Sequence, residues 1–144
     1  MPKPSTAAPW HLWWVGGLTF LWNSIGCFDY LATQFRYEPY MSQFNPDQLE
    51  FFYDFPAWLV AFWAIAVWGS LAGSVGLLLR RVWALWAFTT ALLAMMVTSF
   101  HNFVLEEGVQ IMGEAGAVFT AVIFLVAVAL VVYARWIKKR LILS

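Results

Sequence analysis

A chain of 144 residues with 62% hydrophobic and 11% charged residues falls far short of the charge that covers a water-soluble domain, about a quarter of residues. With a mean hydropathy of +0.71, its surroundings are predicted to be mostly lipid. A formal net charge of zero leaves no basic face for nucleic acid, and a single cysteine, Cys27, excludes an internal disulfide and any multi-cysteine metal cluster.

The first hydrophobic run predicts a membrane-spanning helix over about residues 10–30, long enough for roughly 30 Å of hydrocarbon at about 1.5 Å per residue. It ends in "NSIGCFDY", where Asn23, Cys27 and Asp29 interrupt the apolar pattern. The "SIGC" stretch resembles a lipoprotein cleavage box, but Ser24 stands where leucine is usual and a bulky Phe28 follows the cysteine. The first span is therefore expected to be retained. Asp29 and Tyr30 are expected to mark its outer end, whereas Asn23 lies six residues deeper, roughly 9 Å along the axis.

An outer loop over 33–55 follows. Within it Asn45, Pro46 and Gln48 form a helix-start signature. This predicts a short amphipathic helix over 45–54 at the membrane surface, with Leu49, Phe52 and Tyr53 on one face and Asp47, Glu50 and Asp54 on another. A second span is expected over 56–79 and a third over 82–105, with only Arg80 and Arg81 between them. So short a turn requires an antiparallel hairpin. A fourth span is expected over 115–135. The expected fold is thus an all-α, four-helix transmembrane bundle forming one domain over 1–144.

Charge placement orients it. Lys3, Arg80, Arg81, Arg135, Lys138, Lys139 and Arg140 fall on one side, and the carboxylates with Arg36 fall on the other. The positive-inside rule places both termini in the cytoplasm.

Small residues mark close helix packing or a partner contact. Gly69 and Gly73 stand at i and i+4, Ser70 and Ser74 repeat that spacing one residue on, and Gly113, Ala117 and Ala121 open the fourth span. Polar residues at the outer ends of the first and third spans, namely Asn23, Asp29, Tyr30, His101 and Asn102, are candidates for a polar pocket or for interhelical hydrogen bonds, and Thr98 and Ser99 lie beside them. A carboxylate against a histidine would make a proton-linked pair there. His11 lies at the opposite membrane face from His101, and no metal-ligand set, P-loop, dinucleotide fingerprint or nucleophile elbow occurs. No cofactor and no catalytic residue is therefore expected. Tryptophans at the inner boundary (Trp10, Trp13, Trp14, Trp83, Trp136) and Phe and Tyr residues through 35–55 at the outer one read as an aromatic belt. The outer set also has the composition of a lid over a pocket.

The stretches "LWN", "DY", "YMSQF" and "PAWLVAFWAIAVWGSLAGS" resemble a group of small four-helix inner-membrane proteins of α-proteobacteria, loosely labelled sugar transporters. The resemblance covers most of residues 11–81. It implies a bacterial inner-membrane protein with Asn23, Asp29, Tyr30 and Gly69 in the recurring pattern, and it brings no catalytic or binding residues. The function expected from the sequence is a non-enzymatic accessory or scaffold subunit, associating with other membrane subunits or with copies of itself. The alternative is a small oligomeric transporter that passes a polar solute, sugar included, through an outer-facing polar pocket.

Overall fold

The computed structural model describes residues 7–105, 108–140 and 142–144. Lys3, Glu106 and Glu107, used above for the charge distribution, lie outside the described residues. The described chain is all-helical: α1 Trp10–Gln34, α2 Glu38–Met41, α3 Pro46–Tyr53, α4 Ala57–Leu78, α5 Trp83–Phe100 continuing into a π-helical turn His101–Leu105, and α6 Gly108–Lys139. Three stretches are long and apolar enough to cross a membrane: Ala57–Leu78, Trp83–Val104 and Gln110–Lys139. The polar positions of α1 keep it out of that group, although its 25 residues extend about 37 Å.

α4 and α5 form the expected hairpin, and glycine decides how close they come. A Cβ built on Gly73 would stand 2.5 Å from the Phe88 ring, and one on Gly69 would stand 3.2 Å from the Ala91 Cβ. Only a bare Cα lets the fully packed Phe88 ring, 2% exposed, lie on the α4 backbone. The hairpin turn closes with Arg80 at φ 57, and the Arg81 N–H donates to the Gly76 carbonyl at 2.8 Å. The C-terminal segment docks on this turn. The Val82 N–H donates to the Ser144 carbonyl (2.7 Å), the Ser144 N–H donates to the Arg80 carbonyl (3.1 Å), and Arg80 Nε donates to the Ile142 carbonyl (3.2 Å).

These contacts sit at the dense end of the molecule. Leu12 of α1, Leu77 of α4, Ala84, Leu85 and Phe88 of α5, Leu130, Ala134 and Ile137 of α6, with Ile142 and Leu143, form one buried cluster. Beside it His11 Nδ1 and the Tyr133 hydroxyl are 2.6 Å apart.

The opposite end is held differently. α1 runs on past Asp29 and Tyr30 to Gln34, so those residues lie within the helix. It stops where Arg36 takes φ 53 and the Tyr37 N–H donates to the Ala32 carbonyl (2.8 Å). α3 begins as its sequence signature predicts: the Gln48 N–H donates to Asn45 Oδ1 at 2.8 Å, and the Asn45 N–H donates to Gln48 Oε1 at 3.2 Å. The Gln48 side-chain amide also donates to the Ile111 carbonyl (3.4 Å), tying α3 to α6. α6 starts earlier and ends later than its expected span, with a kink at Gly113, where φ is 79. That left-handed conformation suits a glycine. It also changes the reading of Gly113, whose Cβ position meets nothing within 4 Å. Within the chain Gly113 makes a bend and no close helix contact.

Candidate functional site

Because the helices are close-packed at one end and diverge toward the other, a cavity of about 460 Å³ opens between α1, α4, α5 and α6. Its dense-end limit is Leu130, which belongs both to the buried cluster and to the cavity lining. At the far end it is capped by Phe44, Phe51, Phe52 and Phe55, which sit on or beside α3. Edge-on ring contacts join these caps: Phe44–Phe52 at 5.1 Å, Phe51–Phe55 at 5.3 Å and Phe55–Trp63 at 5.9 Å. Such geometry pairs the positive edge of one ring with the negative face of the next.

Asn23 lies deep in this space and is 8% exposed. Its Nδ2 donates to the Ser70 carbonyl at 3.0 Å and to Ser74 Oγ at 2.9 Å. Ser74 Oγ in turn donates to Thr19 Oγ1 at 3.0 Å. The serine pair on α4 therefore faces α1 while the glycine pair one residue earlier faces α5. Two adjacent stripes of small residues serve two different neighbours. Cys27 adds a further clip, its thiol donating to the Val67 carbonyl at 3.3 Å.

Both donor hydrogens of the Asn23 amide are consumed by these bonds, and its Oδ1 accepts none from any described residue. No enclosed side-chain oxygen or nitrogen among the described residues lacks a partner. The Asn23 carbonyl is accordingly not sealed in protein but open to the cavity that the residue lines.

Asp29 stands nearer the cap. Tyr40, on α2, donates its hydroxyl to Asp29 Oδ1 at 2.5 Å. Burial first, then the hydrogen bond to Asp29 and its charge, raise the Tyr40 hydroxyl well above the ordinary phenol range. Tyr40 therefore keeps its proton and acts as a fixed donor.

The remaining sequence candidates divide. Asn102 lines the same cavity as Asn23 and Asp29. Tyr30 turns onto Trp63 instead, ring centres 5.0 Å apart. His101 packs against Trp58 (5.5 Å) and Phe55 (6.2 Å), with its Nδ1 3.2 Å from Asn102 Oδ1. It faces a separate open vestibule of about 590 Å³, lined also by Asp47, Glu50, Asp54 and Gln110. Asp29 and His101 thus line different spaces, and the carboxylate–histidine pair is not formed. The partition between the two spaces is α3, whose acidic face lines the vestibule while Phe51 and Phe55 line both. Of the fourth-span small residues, Ala117 is half-buried and Ala121 is exposed, so they build no seam within the chain.

The sequence reading missed Tyr40 and Thr19 as partners. Tyr40 reaches Asp29 across the break between α1 and α2, where no helical periodicity carries information. Thr19 was hidden because a threonine four residues before Asn23 is unremarkable until Ser74 is placed between them. No metal-binding group of three or more His, Cys, Asp or Glu side chains occurs among the described residues. No known protein family, characterised protein or solved structure matches the chain.

Proposed function

We propose that this chain is a four-span integral membrane protein, with α1 as the fourth span and both termini cytoplasmic, that binds a small solute in the cavity between α1, α4, α5 and α6 and passes it toward or across the membrane. The observation that carries this reading is the cavity itself. At about 460 Å³ it lies within the 300–1,000 Å³ or so typical of small-molecule sites, and like them it combines apolar walls with a few polar groups. The dense cluster around Leu12, Phe88 and Ile137 lies on the basic, cytoplasmic side under the positive-inside rule, so the hollow half faces outward. A bacterial inner membrane is the location that the sequence resemblance favours.

Cysteine accessibility tests this. In a Cys27→Ser background, Thr120→Cys places a thiol on the cavity wall, whereas Val122→Cys places one on the outer side of α6, where Val122 is 42% exposed. A charged, membrane-impermeant thiosulfonate added to the outer face should modify the first and not the second. No modification of Thr120→Cys from that face would refute an outward-open cavity.

One observation favours a second reading, an accessory subunit. Only 6% of the apolar stretch of α6 is buried, and Ala121 lies exposed on it, one turn from the half-buried Ala117. Chemical cross-linking from Ala121→Cys in native membranes, giving a discrete larger species, would favour it.

A further inference from the structure

Resting on the cavity reading above, we infer that the solute is an organic ammonium: a protonated amine carrying an apolar body. Among the described residues six that bear hydroxyls line the cavity, and five of them spend their proton inside the protein. Thr33 donates to the Asp29 carbonyl (2.8 Å), Ser70 to Ala66 (2.7 Å), Thr98 to Met95 (2.9 Å), Thr120 to Gly116 (3.0 Å), and Tyr40 to the Asp29 carboxylate. To a solute these five hydroxyls can offer only lone pairs. Asn23 does the same at greater depth, since its amide hydrogens are used and its carbonyl oxygen, on a residue 92% buried, is not.

Charge and wall chemistry agree. Among the described residues Asp29 is the single charged one in the cavity lining, and no described Lys or Arg borders the cavity or the vestibule. The second carboxylate oxygen of Asp29 accepts no bond from a described residue. Trp22, Trp63 and the four phenylalanines of the cap supply π faces, which attract a desolvated cation. On the other side of α3 the vestibule is lined by Asp47, Glu50 and Asp54, so both faces of that partition carry acidic groups. An anion in the cavity would meet the Asp29 carboxylate and hydrogen-bond acceptors. A neutral sugar would need donors as well as acceptors, and among the described lining residues only Ser99, Asn102 and the indole N–H groups of Trp22 and Trp63 have hydrogens left to give, while no cationic side chain there answers an anion.

The test uses one apolar body with three head groups: 4-phenylbutylammonium, 4-phenylbutanol and 4-phenylbutyrate. Each is titrated calorimetrically into the purified full-length protein in detergent, with protein-free detergent as the blank. The ammonium should bind at least about tenfold tighter than the alcohol, and the carboxylate should bind weakest. Asp29→Asn should lower ammonium affinity about tenfold while leaving the alcohol within about twofold, and that retained binding shows the variant is folded. Equal affinity for ammonium and alcohol, or preference for the carboxylate, overturns the inference while the cavity reading stands. Binding of none of the three overturns both. The head-group comparison on the unaltered chain decides the matter even where the variant fails to fold.

Discussion

Gly73→Ala tests whether the α4–α5 contact sets the architecture. The added methyl carbon would lie 2.5 Å from two carbons of the Phe88 ring, so the ring must retreat about 1 Å to reach ordinary contact. It has nowhere to go, being 2% exposed inside the cluster of Leu77, Ala84 and Leu85. Overpacking a filled core costs about 1–3 kcal/mol, and a rigid buried ring puts this case near the top. Against that, glycine to alanine in a helix gains about 1 kcal/mol. The net expectation is a loss of about 2 kcal/mol, read as a shift in unfolding midpoint when detergent-solubilised protein is titrated with SDS and followed by circular dichroism. Gly17→Ala is the control, because nothing lies within 4 Å of its Cβ position; it should be neutral or stabilising by up to about 1 kcal/mol. Gly73→Ala combined with Phe88→Leu should be less destabilised than the sum of the two single changes, because the smaller side chain relieves the clash. Should Gly73→Ala prove as stable as the unaltered chain, or the double variant simply additive, the close approach of α5 to Gly73 is refuted.

Other consequences follow from the same geometry. Asn23→Ala removes two hydrogen bonds between α1 and α4 and should cost about 1–2 kcal/mol in the same assay, with Ser74→Ala costing less because the bond to the Ser70 carbonyl survives. Asn45→Ala breaks the capping box at the start of α3 and should weaken that helix by about 0.5–2 kcal/mol; amide exchange at Gln48 should accelerate while exchange in the α4–α5 hairpin stays unchanged. Tyr40 has a folded-state value raised above its unfolded one, so its bond to Asp29 contributes fully below about pH 10 and is lost only as pH rises through the raised value. The near-ultraviolet tyrosinate difference between the unaltered chain and Tyr40→Phe should therefore stay flat to about pH 11; a step near pH 10 would contradict the buried contact. Ile142→Ala empties a 4%-exposed site beside the hairpin turn and should cost about 2 kcal/mol.

The helical class and the three stretches long and apolar enough to cross a membrane were legible in the sequence. Composition and run length decide them, because a backbone in hydrocarbon must satisfy its own hydrogen bonds. The capping box at Asn45 and Gln48 and the tight Arg80–Arg81 turn were equally local, since each is made by residues within a few positions of one another. Asn23 was recognised as too deep for a surface residue, yet its partners were not. α4 and α5 are apolar on all sides, so periodicity names no inward face, and helices in lipid choose neighbours by shape and by hydrogen-bond fit. That choice sent Gly73 to Phe88 and Ser74 to Asn23, although glycine and serine stand one residue apart. Asp29 is expected where the first helix leaves the membrane; the helix itself continues to Gln34, and Tyr40 on α2 gives the carboxylate a partner that no local pattern announces. Residues 45–54 read as a surface helix; α3 forms there, and what the sequence does not show is that Phe51 and Phe52 line the cavity while Asp47 and Glu50 line the vestibule. Sequence alone determined what each segment is. The tertiary structure decided that the bundle packs tightly at one end and stays hollow at the other, because only the joint positions of α1, α4, α5 and α6 determine where side chains fill space and where they do not.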